Sequence, residues 1–229
     1  ASEGIIIPPP AGSIDAAHQS GVKVLGQVFF PPYAFGGNQA WVRHMLTKEN
    51  GVYIYAKKLH EIAKYIGFDG WFINEETGGG TDSEWVGFIK EFNKIADANG
   101  DTHMEIQWYN AEYYPNVTIL KSHKNTSQFL EYGSPGDYRS YASQLGCTEA
   151  ETFSKIYGGV QVAANGHTGF ESALNRAMPT SGHVGSLDLF CPEEKTWKDN
   201  VRNLLGKNDT GPDAYKAITK TFENEMQMW

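Results

Sequence analysis

The feature that most constrains this chain is a rhythm. Six short runs of strand character, at 22–30, 68–74, 104–110, 127–133, 158–165 and 184–191, alternate with stretches of helical spacing. Tyr55, Leu59, Ile62 and Ile66 recur at helical intervals and Gly67 follows as a stop; Trp85, Phe88, Ile89, Phe92 and Ile95 form a second stripe that Asp82 or Ser83 can cap. Thr148 is a candidate cap for a helix over 149–157, and 193–205 and 213–228 read as further helices. Strand–helix repetition of this kind predicts parallel strands joined by helical crossovers. A doubly wound sheet would make those strands apolar on both faces. Here Met104, Ile106 and Trp108 alternate with Glu105, Gln107 and Tyr109; Val160, Val162 and Ala164 with Gln161, Ala163 and Asn165; Leu187 and Leu189 with Asp188 and Phe190. One face meets helices and the other meets something mixed and polar, as inside a (β/α)8 TIM barrel near its mouth. The expected fold is therefore α/β, an incomplete TIM barrel of about six βα units, with 1–229 forming one region.

Composition narrows the partners. With 229 residues the chain can build a core without disulfide staples. The net charge is −8 and the 19 Lys and Arg residues are scattered, so nothing resembles the basic stripe that binds nucleic acid. No apolar run is long enough to span a membrane, and no signal-peptide pattern is visible. The seven His and two Cys residues stand at no metal-ligand spacing, so neither a metal nor a cofactor is expected. Pairing of Cys147 with Cys191 is not decided by the sequence.

The stretch richest in chemical potential is Gly67-Phe68-Asp69-Gly70-Trp71-Phe72-Ile73-Asn74-Glu75-Glu76-Thr77-Gly78, followed by Gly79-Gly80. A hydrophobic strand ends in an amide and two carboxylates. Strand alternation places Phe68, Gly70, Phe72, Asn74 and Glu76 on one side and Glu75 on the other. Polar groups at the C-terminal end of a barrel strand are where catalysis resides. By spacing alone, Asn74 and Glu76 serve equally well as a turn-starting pair. The glycine loop lacks the Lys and Ser or Thr of a phosphate-binding loop.

That segment resembles the catalytic strand of glycoside hydrolase family 85, the endo-β-N-acetylglucosaminidases. Ile7-Pro8-Pro9, Asp15-Ala16-Ala17-His18, Gly21-Val22-Lys23-Val24-Leu25-Gly26 and Gln107-Trp108-Tyr109 fall in the family's order, while the likeness thins over 127–191. The resemblance implies cleavage of the β-1,4 bond in the GlcNAc–GlcNAc core of N-linked glycans, with the substrate's own acetamido group as nucleophile. It implies Glu76 as general acid then base, Asn74 orienting the acetamido group, and Tyr109 touching it. Gln107, Tyr33, Tyr132, Asn165 and Phe190 are the further expected substrate contacts. Residues 111–120 and 133–138 lack the Trp common in the family, so Tyr33, Phe35, Tyr113, Tyr114 and Tyr132 are the available stacking surfaces. The resemblance further implies two barrel strands before residue 1, a β-sandwich after residue 229, and a secreted or cell-surface setting, although the family also has cytoplasmic members. Two other readings stay open: a two-carboxylate glycosidase pairing Glu76 with Glu131 or Asp188, and a glycan-binding piece without activity.

Overall fold

A computed structural model of the chain describes residues 5–132, 138–161, 175 and 185–191. In order these form β1 (Ile6–Ile7), α1 (Ala11–Gln19), β2 (Gly26–Phe30), a 3-10 turn at Tyr33–Phe35, α2 (Gln39–Met45), β3 (Lys48–Glu49), β4 (Val52–Tyr53), α3 (Ile54–Ile66), β5 (Gly70–Glu75), α4 (Asp82–Ala98), β6 (Glu105–Tyr109), α5 (Val117–Leu120), β7 (Thr126–Leu130), α6 (Arg139–Leu145), α7 (Glu149–Thr152), β8 (Ile156–Gln161) and β9 (Ser186–Phe190). One sheet runs β1-β2-β5-β6-β7-β8-β9, and β3 with β4 makes a separate hairpin. Every neighbouring pair from β2 to β9 is parallel; β1 alone is antiparallel, at the edge beside β2. Six consecutive parallel strands in sequence order make an α/β arc of the TIM type. Among the described residues β1 and β9 are its two edges.

The six strands fall where the sequence places them, with shifted ends. β8 begins at Ile156 because α7 stops at Thr152, well before the expected 157. The helices expected over 193–205 and 213–228 lie outside the described residues. The elements that carried too little periodic signal to be anticipated are β1, α1, α2, the β3–β4 hairpin, α5 and α6.

The core lies on the helix side of the sheet. Val28, Phe30, Trp71, Ile73, Ile106 and Trp108 from β2, β5 and β6 meet Leu59 and Ala63 of α3 and Trp85, Phe88 and Phe92 of α4. Each large apolar side chain buried this way contributes roughly 1.5–3 kcal/mol. The buried face of α3 is Ala56, Leu59, His60 and Ala63, turned by about one residue from the expected stripe; Ile66 is left 38% exposed. The two alanines let the helix backbone approach the sheet, where Trp71 Nε1 donates to the Leu59 carbonyl at 3.0 Å. α3 stops at Gly67, whose φ of 94° is the left-handed conformation that a C-terminal cap requires. α4 starts one residue earlier than expected: Thr81 is the N-cap and forms a reciprocal capping box with Glu84.

One correction concerns Phe68. Alternation alone puts it beside Asn74, yet it is 1% exposed in the helix-side core and sits edge-on to Trp71, ring centroids 4.9 Å apart. The cause is Gly70. Its φ of 136° breaks the alternation upstream, and a Cβ there would lie 2.0 Å from the Glu105 carbonyl oxygen.

Candidate active site

From Gly70 onward β5 alternates cleanly. Trp71 and Ile73 enter the core, while Phe72 and Asn74 face the other side. In register, Asn74 lies between Phe29 of β2 and Tyr109 of β6; Phe72 lies between Gln27 and Gln107. The ladder continues past the strand's end, because the Glu76 N–H donates to the Phe30 carbonyl at 2.9 Å. Glu76 is thereby aimed like the next strand residue, onto the Asn74 side. Phe72, Asn74 and Glu76 line one cavity of about 830 Å³ together with Gln107, Tyr109, Phe129, Glu131, Tyr132, Asp188 and Phe190.

Glu75 points away. It is 7% exposed, and its carboxylate accepts the Gly78 N–H at 2.6 Å, folding the glycine loop back over the strand end. Thr77 reinforces that turn by donating its hydroxyl to the Pro31 carbonyl. Burial pushes the Glu75 carboxyl above the usual range, and the Gly78 and Thr77 N–H groups pull against it.

Inside the cavity the polar groups come in pairs. An Asn74 side-chain N–H donates to Glu76, whereas Asn74 Oδ1 is buried with no partner among the described residues. Burial pushes the Glu76 carboxyl up, the Asn74 bond opposes that, and the Glu131 charge adds to it. Tyr109 donates its hydroxyl proton to Glu131. Burial, then Glu131, drives the Tyr109 pKa far upward, so the phenol keeps its proton. Gln107 of β6 donates to Asp188 of β9, and burial lifts that carboxyl to about 6. Aromatic rings floor the space: Phe72 stacks on Tyr109 (6.2 Å, 29°), Tyr109 meets Phe129 at 5.1 Å, and Tyr132 meets Phe190 at 5.6 Å. Among the described lining residues there are three carboxylates and no Lys, Arg or His, an arrangement that favours developing positive charge. Among the described residues no cluster of three or more His, Cys, Asp or Glu side chains is placed to hold a metal ion.

The structure therefore brings together Glu76, Asn74, Tyr109, Gln107, Tyr132 and Phe190. It leaves Tyr33 out. The two prolines before Tyr33 turn the chain into the 3-10 helix, where Tyr33 is 61% exposed and absent from the cavity wall. Phe35, Tyr113 and Tyr114 are likewise exposed. Asn165 lies outside the described residues. Gln27 and Phe29 of β2 join the wall unanticipated; their alternation with buried Gly26, Val28 and Phe30 was the signal that could have found them. Cys147 and Cys191 are not joined in a disulfide.

Comparison with known proteins places this geometry. The chain is 32% identical over 131 residues to cytosolic endo-beta-N-acetylglucosaminidase 2 of Arabidopsis thaliana, a match covering 57% of this chain and 18% of that protein. It is 39% identical over 72 residues to cytosolic endo-beta-N-acetylglucosaminidase 1 of the same plant, covering 31% of this chain and 10% of that one. It thus spans less than a fifth of the curated relatives it matches. The glycoside hydrolase domain of Endo-D from Streptococcus pneumoniae R6 superposes with a TM-score of 0.68 at 23% identity, over 94% of this chain and 36% of that one, which establishes the likeness of fold. Among the described residues no helix is long and apolar enough to cross a membrane. The model of glycosyl hydrolase family 85 matches residues 2–229, and the chain belongs to that family.

Proposed function

We propose that this chain carries the catalytic centre of an endo-β-N-acetylglucosaminidase that cuts the GlcNAc-β-1,4-GlcNAc core of N-linked glycans with retention. The observation that carries the reading is the state of Asn74: one end of its amide holds Glu76, and the other is a buried acceptor with no partner among the described residues. A buried acceptor without a donor costs about 1–3 kcal/mol, and the N–H of a 2-acetamido group relieves it. Glu76, protonated, donates to the glycosidic oxygen as the C1–O bond breaks. The acetamido carbonyl oxygen attacks C1 and closes an oxazoline, whose positive charge Asn74 Oδ1 stabilises through the N–H. Glu76, now a carboxylate, takes a proton from water; that water attacks C1, and the ring opens to the retained product. Holding the internal nucleophile in place supplies an effective molarity on the order of 10⁵–10⁸ M, so an amide suffices where other retaining enzymes use a second carboxylate. The pairing of the other two acids supports this choice over a two-carboxylate mechanism, since Glu131 is occupied by Tyr109 and Asp188 by Gln107.

The test is a thiazoline mimic of the closed intermediate, together with Asn74→Ala. We expect the thiazoline to inhibit competitively. Asn74→Ala should abolish release of natural glycans yet still process a preformed sugar oxazoline. Indifference to the thiazoline, or equal loss on both substrates, would overturn the acetamido mechanism.

We further propose that 1–229 is one barrel region of a larger multidomain protein. The expectation of secretion finds no support in the Arabidopsis relatives, whose names place them in the cytosol, and the Asn-x-Ser/Thr sequence at Asn125 argues the same way. Asn125 uses both side-chain hydrogens, to the Thr102 and Met104 carbonyls at 2.8 and 2.9 Å. Asn116 caps α5 and donates to Asp82 at 2.9 Å. A glycan on the Asn125 nitrogen removes a hydrogen that one of these bonds needs, whereas Asn116 has a second hydrogen to spare. The chain accordingly belongs to a compartment without N-glycosylation. Routed through a eukaryotic secretory pathway it should misfold, and the pair Thr118→Ala with Ser127→Ala should rescue it: Thr118 is exposed, and the buried Ser127 hydroxyl has no partner among the described residues. Efficient folding with both asparagines glycosylated would refute this placement.

A further inference from the structure

Tyr109 and Asn74 stand opposite each other in the β5–β6 register, on the same face and in the same cavity. The phenol ring has little freedom, stacked on Phe72 and packed against Phe129, with only 6% of Tyr109 exposed. Its single hydroxyl proton is committed to Glu131. Glu131 is itself braced: it follows β7, and its backbone N–H donates to the Glu112 carbonyl at 2.8 Å, in the loop beyond β6. The loop after Tyr109's own strand thus fixes the acceptor to which Tyr109 points.

We propose that Glu131 is a positioning residue: by taking the Tyr109 hydroxyl proton it turns the phenolic oxygen's lone pairs toward the substrate and keeps that proton off the acetamido oxygen that must attack. The proposal rests on the acetamido mechanism and deepens it. A hydrogen bond donated to the nucleophilic oxygen withdraws the electron pair that forms the new C1–O bond; an acceptor facing the closing ring instead favours its positive charge. With Asn74 Oδ1 also an acceptor, Asn74 and Tyr109 offer the acetamido group two oxygens. The upward-shifted Tyr109 phenol agrees with a proton held between Tyr109 and Glu131 and not lost to solvent.

A double-mutant cycle in the full chain tests this, using Glu131→Leu, Glu131→Gln, Tyr109→Phe and the Leu–Phe pair, read by glycopeptide turnover and by urea denaturation. Glu131→Leu frees the Tyr109 proton to bind the acetamido oxygen, so kcat should fall about tenfold or more while KM stays level or drops. Glu131→Gln keeps an acceptor oxygen and should recover most of that rate. In the Tyr109→Phe background Glu131→Leu should change kcat by less than about threefold, because the proton it redirects is gone. A raised KM at constant kcat, or an equal loss in both backgrounds, would overturn the assignment. Additive stabilities in the cycle would show that the two side chains do not bond in solution, which overturns it without reference to turnover. An inert wild-type chain would sink the hydrolase reading and this proposal with it; an active wild type with an additive pair sinks this proposal alone.

Discussion

Glu75 and Glu76 are the same residue one position apart, and they face opposite sides of the sheet. Glu75 lies on the helix side of β5, where its carboxylate is spent on the Gly78 N–H of the following turn. Glu76 lies on the cavity side, held by one amide hydrogen of Asn74 and facing 830 Å³ of open space. Burial raises both carboxyls. Perturbation is therefore no guide to which acid does chemistry, because burial acts on each without regard to role. What separates them is where the remaining hydrogen-bond capacity points. On one face it is exhausted by backbone; on the other it is left for a substrate.

The largest test of that division is to neutralise the cavity acid. Glu76→Gln removes the transferable proton and should lower glycan release by about 10²–10⁴-fold, with the circular dichroism spectrum unchanged. Its alkaline limb carries a sign as well. The folded carboxyl is raised, so the acid form survives to higher pH than an ordinary glutamate, and kcat/KM should decline only as pH climbs through that raised value. Retained activity in Glu76→Gln would collapse the distinction between the two acids.

Asp188 lies between the extremes, a cavity carboxyl that Gln107 partly satisfies. Burial lifts it from an ordinary 3.8 to about 6. The folded state therefore binds its proton more tightly than the unfolded state, and ionised Asp188 destabilises the protein at neutral pH. Asp188→Asn removes that cost and should stabilise by up to about 3 kcal/mol at pH 7. The gain should shrink as pH falls below about 6 and vanish only below about 3, under the ordinary value of 3.8, where Asp188 is protonated in both states. Urea titrations at the two pH values measure it; a gain equal at both would show that the carboxyl is not desolvated.

On the helix side the expected currency is stability. Glu75→Leu strands the Gly78 N–H in a half-buried turn and should cost about 1–3 kcal/mol. Turnover below the melting transition should drop less than about tenfold. A loss as deep as that of Glu76→Gln would mean that the two faces are not independent.

Much of this division can be read from the chain because strand alternation is local. Trp71, Ile73 and Glu75 against Phe72, Asn74 and Glu76 needs only a period of two, and the six parallel strands needed only apolar runs between helical stripes. The failures share a physical cause: a conformation or a partner that no local period encodes. Phe68 lies on the core side because Gly70 adopts a φ that alternation cannot anticipate. The cap of α4 is Thr81 and not Asp82 or Ser83 because Glu84 reaches back to complete the box. Tyr33 was a plausible ring for a sugar until the prolines before it turned the chain outward. The bonds that fix the site, Tyr109 to Glu131 and Gln107 to Asp188, join different strands, and only the assembled sheet shows which acid meets which donor.

The smallest effect probes whether the loop after Glu76 belongs to the helix side throughout. Beyond Gly78 this loop is fastened at two more points: Arg43 donates to the Gly79 carbonyl at 2.8 Å and pairs with Glu84, and Thr81 caps α4 by accepting the Glu84 N–H at 3.3 Å. Glu84 is held down to about 2, first by Arg43, so its contribution is present at neutral pH and fades as pH falls below the ordinary glutamate value. Thr81→Ala deletes one cap and leaves the ion pair, which is solvent-screened and worth little alone. It should cost about 1 kcal/mol in urea denaturation and leave kcat unchanged. If turnover instead fell while stability held, the glycine loop would be acting on Glu76 directly, and the line between the two acids would run through Gly78 and not along the sheet.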